Sequence, residues 1–92
     1  MNPRDKSRPD EKTLADLSLG YLAENPEELA RFLDFAGYTP QGLRSALDSP
    51  QLSRGLIEYV AANESLMLAL CANAGIKPEQ FMAVWYKLNP AG

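Results

Sequence analysis

Ala36-Gly37-Tyr38-Thr39-Pro40-Gln41 and, 38 residues further on, Ala74-Gly75-Ile76-Lys77-Pro78-Glu79 carry the same backbone instruction twice: stop a helix, turn, start another. Glycine suits the left-handed position just past a helix end, where a β-carbon is penalised. Proline suits the first helical position, because its missing N–H would find no partner there and its φ is already helical. Backbone geometry accounts for both residues, so the two turns read as helix junctions rather than as a ligand-binding corner made twice.

Working outward, residues 13–47 align with 51–85. Leu14/Leu52, Tyr21/Tyr59, Ala23/Ala61, Asn25/Asn63, Ala36/Ala74, Gly37/Gly75 and Pro40/Pro78 are identical. Further pairs are apolar in both copies, among them Leu29/Met67, Phe32/Leu70, Leu43/Phe81 and Leu47/Trp85. The pattern predicts a 38-residue internal repeat, two similar three-helix halves.

The remaining punctuation supplies the helices, and no stretch alternates apolar and polar residues as a half-buried strand would. The first helix starts near Asp10 or Thr13 and runs to Glu24, with Leu14, Leu17, Tyr21 and Leu22 inward. Asn25-Pro26-Glu27-Glu28 opens the second. Asn25 is expected to accept from an orphan N–H, and the two acids suit the positive helix end. Its inner face is Leu29, Phe32, Leu33 and Ala36. Thr39-Pro40 opens a third helix with Leu43, Ala46 and Leu47, and Ser49-Pro50 a fourth with Leu52, Leu56, Tyr59 and Val60. Asn63 is read as the cap of a fifth helix, whose run from Leu66 to Ala72 is apolar all round and so belongs mid-bundle. Lys77-Pro78 opens the sixth, with Phe81, Val84, Trp85 and Leu88 inward, and Asn89-Pro90 closes the fold. The expected fold is all-α: a compact bundle of five to six short helices, its two halves set around the fifth.

The chain has 92 residues, 46% apolar and 23% charged, which fits one domain with a single core. Residues 1–9 read as a disordered basic tail and 10–89 as a single helical domain. The run from Leu66 to Ala72 is far short of the ~20 residues a membrane helix needs, so no membrane is expected. No apolar segment follows Arg4-Asp5-Lys6, so no secretory leader is expected either. The single cysteine fits a reducing compartment, and the reading is a small bacterial-type protein of the cytoplasm.

Charge is unevenly placed. Residues 1–12 carry Arg4, Lys6, Arg8 and Lys12 against Asp5, Asp10 and Glu11, while the rest carries five cations against nine acids. A phosphate backbone repels such a body, which disfavours nucleic acid as a ligand except through the basic tail.

Catalytic chemistry is sparse. Histidine is absent, which removes the commonest general base and metal ligand, and the glycines are too scattered to cradle phosphate. No metal site and no cofactor are expected. Cys71, on the most apolar helix with no basic neighbour within a turn, reads as a buried, inert thiol. Glu24, Glu27 and Glu28 cluster, but Glu27 and Glu28 are accounted for as first-turn acids facing solvent. An enzyme using these acids would need a pocket; the reading is no enzyme and no catalytic residue.

The two copies serve as controls on one another. Arg44 and Asp48 lie off the inner stripe of the third helix; the matching positions in the sixth are Met82 and Tyr86. From Phe81, Met82 lies about 100° and Tyr86 about 140° round the helix. The second copy therefore carries an apolar strip that its sister keeps charged. Phe35, off its own stripe, has Asn73 as its counterpart. Two readings stay open: the strip packs under the N-terminal segment or a neighbouring helix, or Met82, Tyr86 and Phe35 meet a protein partner or a second copy. Trp85, at the Leu47-equivalent position, reads as core.

In Leu22-Ala23-Glu24-Asn25-Pro26-Glu27, in Phe32-Leu33 through Gly37-Tyr38-Thr39-Pro40, and in Leu70 through Gly75-Ile76-Lys77-Pro78, the chain resembles a short, uncharacterised alphaproteobacterial all-helical family, a domain of unknown function. The resemblance spans roughly residues 13–88 and implies a bacterial, cytoplasmic, all-α protein; it implies no catalytic or binding residue. The functional expectation is a non-catalytic protein-interaction module, with a protein partner or self-association. The alternative is a nucleic-acid-associated accessory protein acting through Arg4, Lys6, Arg8 and Lys12.

Overall fold

Six helices follow one another in a computed structural model that describes residues 9–90: α1 (Glu11–Ala23), α2 (Pro26–Ala36), α3 (Pro40–Ser45), α4 (Pro50–Ala61), α5 (Glu64–Ala74) and α6 (Pro78–Leu88). There is no strand among the described residues. Arg4, Lys6 and Arg8 of the expected basic tail lie outside them.

The helix starts follow the local chemistry. The Asp10 carboxylate accepts from Thr13 N–H at 2.8 Å, which holds that carboxyl below its usual range. Thr39 Oγ1 accepts from Gly42 N–H at 2.9 Å and Ser49 Oγ from Leu52 N–H at 3.1 Å, each directly before a first-turn proline. At α6, the Lys77 N–H donates to Gln80 Oε1 at 2.8 Å. The two junction glycines end their helices with φ of 78° at Gly37 and 73° at Gly75. In each, the next N–H reaches back to the last turn, Tyr38 to Leu33 and Ile76 to Cys71.

Asn25 and Asn63 act the other way round from the expectation. Neither side chain caps the helix that follows. Instead the Asn25 amide donates to Tyr21 O at 2.7 Å and that of Asn63 to Tyr59 O at 2.8 Å, closing α1 and α4. Asn89 does the same for α6, donating to Trp85 O at 3.0 Å. An amide both donates and accepts, and at these corners a last-turn carbonyl of the preceding helix, with its second lone pair, is the group within reach.

The core is built on α4, not on α5. Leu52, Leu56, Ile57, Tyr59 and Val60 are all buried, and α4 touches α1, α2, α5 and α6. Its most extensive partner is α1, whose buried residues are Leu14, Ala15, Ser18 and Leu22. Ser18 is satisfied within its own helix, donating to Leu14 O at 2.8 Å. Helix α2 lies on α4 while α5 reaches across to α1, so the first and second halves interleave. Phe32, Met67, Leu70, Cys71, Phe81 and Val84 complete the core.

Three expected core positions are corrected. Leu68 in α5 is 46% exposed and Ala69 and Ala72 face solvent, so the all-apolar helix is a flank with one wet side. Leu47 lies beyond the end of α3 and is 46% exposed, and Leu17 is on the outer side of α1. Helix α3 is only 6 residues long against the 11 of α6, which leaves Leu47 past the last helical turn.

Candidate apolar notch between α2, α4 and α6

Three helices converge at the C-terminal end of α4. From α2 comes Phe35, from α4 Glu58 and Ala61 with the C-cap residue Ala62 just beyond, and from α6 Met82 and Trp85. The small alanines leave a notch of about 240 Å³ between the larger side chains. Drug-sized ligands use pockets of roughly 300–1,000 Å³, so the notch has room for side chains of a partner rather than for such a ligand.

The aromatic residues are held in place from beneath. Tyr59 is buried, with its ring 5.2 Å from that of Phe35 and 5.5 Å from that of Phe32, the latter edge-on. Phe35 itself is 58% exposed. On α6 the rings of Trp85 and Tyr86 meet edge to face at 5.2 Å; Trp85 is half-buried and Tyr86 is 57% exposed. Met82 packs half-buried against the core.

Of the three residues singled out from the sequence, Phe35 and Met82 therefore line one notch, and Tyr86 stands outside its lining, propped on Trp85. Trp85, expected in the core, packs half-buried against it and also forms part of the notch wall. Ala61, Ala62 and Glu58 were not singled out. Nothing in their residue types distinguishes them from ordinary helix-surface positions.

Glu28 is a correction. It is half-buried and bonded rather than free in solvent: its Oε2 accepts from the Tyr59 hydroxyl at 2.7 Å and its Oε1 from Arg31 Nη1 at 3.0 Å. Burial, then the Glu28 hydrogen bond and its negative charge, push the Tyr59 phenol up to about 12.

A surface track leads away from the notch. Ala62 is shared with a recess lined by Glu28, Arg31, Asn63 and Glu64, and Glu28 and Arg31 are shared with a third lined by Glu24 and Glu27. Cys71 is a free, buried thiol whose pKa burial pushes up. Lys12 pairs with Asp16 at 3.5 Å and with Asp48 at 3.8 Å in the open. Among the described residues no three acid or cysteine side chains converge to hold a metal ion, and no helix is long and apolar enough to cross a membrane.

These features define a small all-α domain with an aromatic notch on one face. The chain belongs to the family described as Protein of unknown function (DUF3572), which matches residues 8–91. That span extends a few residues beyond the 13–88 of the sequence resemblance at both ends. No curated protein and no solved structure matches the chain.

Proposed function

We propose that this protein is a non-catalytic, cytoplasmic interaction module that docks a protein partner at the notch between α2, α4 and α6. The observation that carries the reading is the meeting of exposed Phe35 with half-buried Met82 and Trp85 around one recess, with exposed Tyr86 packed on Trp85 beside it. Interface centres are enriched in aromatic residues and methionine, and such residues left in water are costly. The acid cluster offers little support for an enzyme, since Glu28 is committed to Tyr59 and Arg31. The alternative reading, nucleic-acid association through the basic tail, rests on Arg4, Lys6 and Arg8 outside the described residues. Its fourth cation, Lys12, is already met by two aspartates. The lone buried cysteine supports a reducing compartment.

The test is affinity purification from the native host, wild type beside Met82→Lys/Tyr86→Lys, with circular dichroism confirming that the variant is folded. A protein recovered by wild type and lost by the folded variant supports the module. Equal recovery by both sinks it. Salt-sensitive nucleic-acid binding that disappears with Arg4→Glu/Lys6→Glu/Arg8→Glu would favour the alternative instead.

A further inference from the structure

The notch is apolar, but what surrounds it is acidic. Glu58 stands on its wall, Glu64 and Glu28 line the adjoining recess, and Glu24 and Glu27 line the one beyond. Along this track of five carboxylates the lining holds one cation, Arg31, and Arg31 is bonded to Glu28 at 3.0 Å. An approaching segment therefore meets an aromatic recess at one end and, Glu28 apart, carboxylates with no cation of their own in the lining along the rest.

Resting on the reading that the notch is an interaction surface, we infer that its occupant is a cationic amphipathic segment of a partner protein. Its apolar residues seat between Phe35, Met82 and Trp85, and its Lys or Arg side chains lie over Glu58, Glu64 and the acids beyond. Amphipathic segments dock in this manner by laying an apolar stripe into a groove while charge complementarity sets orientation and rejects wrong partners. Three other occupants fit less well. In a two-fold pair of this chain the same patch faces itself, which sets the acidic rim against its own copy. The chain's own Met1-Asn2-Pro3-Arg4-Asp5-Lys6-Ser7-Arg8 is basic but has a single apolar anchor other than proline, Met1, to fill the notch. A nucleic acid would be repelled by the rim.

The test uses the full chain and an unbiased probe: a displayed library of random peptides of about 16 residues, some four helical turns. Selection on wild type is counter-selected on Phe35→Glu and, in case that variant is unfolded, on Tyr86→Lys. Trp85 is the only tryptophan, so tryptophan-free peptides made from the winners are followed by its emission. The expected winners carry two or more Lys or Arg beside apolar residues spaced three and four apart. They should shift Trp85 emission, and lose about tenfold in affinity when salt rises from low to several hundred millimolar, as screened charge pairs do. Glu58→Lys/Glu64→Lys should weaken them by about tenfold or more while leaving helix content intact.

Notch-dependent winners that are neutral or acidic overturn the cationic occupant and leave the interaction module standing. No notch-dependent winner at all overturns both. A concentration-dependent dimer abolished by Tyr86→Lys assigns the notch to a second copy, and a Trp85 shift in Arg4→Glu/Lys6→Glu/Arg8→Glu alone assigns it to the chain's own tail; either result overturns the proposal.

Discussion

Tyr59 joins three roles in one side chain: it fills the core, props Phe35, and donates to Glu28 across the α2–α4 contact. Tyr59→Phe keeps the ring and removes the donor to a carboxylate, so urea unfolding should show a loss of about 1.5–3 kcal/mol, the range for hydrogen bonds to charged groups. The folded phenol titrates near 12 against 10.0 unfolded. Between those values the unfolded chain has released a proton that the folded one keeps. Stability from this group is thus complete below pH 10 and drains away towards pH 12, and Tyr59→Phe should flatten that part of the stability profile. Cys71 makes a second residue-scale prediction. Its buried thiol should react with a thiol reagent only when the domain opens, with labelling accelerating in urea in step with unfolding. That Cys71 is buried was legible from its apolar neighbours alone. The Glu28 contact was not, because its partner lies 31 residues away and a first-turn glutamate already has a sufficient local reason to be where it is.

At the scale of the element, the junctions were the most legible part of the chain. A cap or a stop is set by residues within one turn, so Gly37, Gly75, Thr39 and Ser49 declare themselves wherever the helix ends up packing. A β-carbon at Gly37 or Gly75 would meet nothing within 4 Å, so Gly→Ala there is a pure test of the positive φ. Each should cost about 1–2 kcal/mol. At ~4–8 °C per kcal/mol for a domain of this size, the melting temperature should fall visibly, and Gly→Asn should recover part of it. Which helix lies in the centre was not legible. An apolar-all-round sequence such as Leu66 to Ala72 says that a helix tolerates burial on every side, not that neighbours exist to provide it. Helix α4 earns the central place with a mixed surface, because α1, α2, α5 and α6 all reach it. The contrast can be measured by denaturant unfolding: Leu56→Ala should cost about 2–5 kcal/mol, as buried leucines do, and Leu68→Ala well under that, since its side chain is already half in water.

Across the whole molecule, the candidate surface was legible only as an inequality between the two sequence stretches aligned 38 residues apart. Phe35 against Asn73, and Met82 and Tyr86 against Arg44 and Asp48, pointed to a place where one half carries apolar groups that the other half does not need. The convergence of Phe35 and Met82 on one notch depends on how α2, α4 and α6 cross, which no local pattern encodes. Because Tyr86 stands at the rim, Tyr86→Lys should change stability by no more than about 0.5 kcal/mol while acting on partner recovery. A melting temperature lowered by several degrees would instead make Tyr86 a structural residue. The interleaving of the halves reaches beyond the finished fold. Leu14, Leu22 and Phe32 have their cover in Leu52 to Val60, so a nascent chain that has only delivered its first half has nowhere to put them. Synthesis proceeds at about 5–20 residues per second, which leaves these side chains waiting for some seconds until α4 emerges from the ribosome. Folding of this domain therefore waits for α4, and a stalled or truncated message that ends before it would release an adhesive fragment rather than half a working domain.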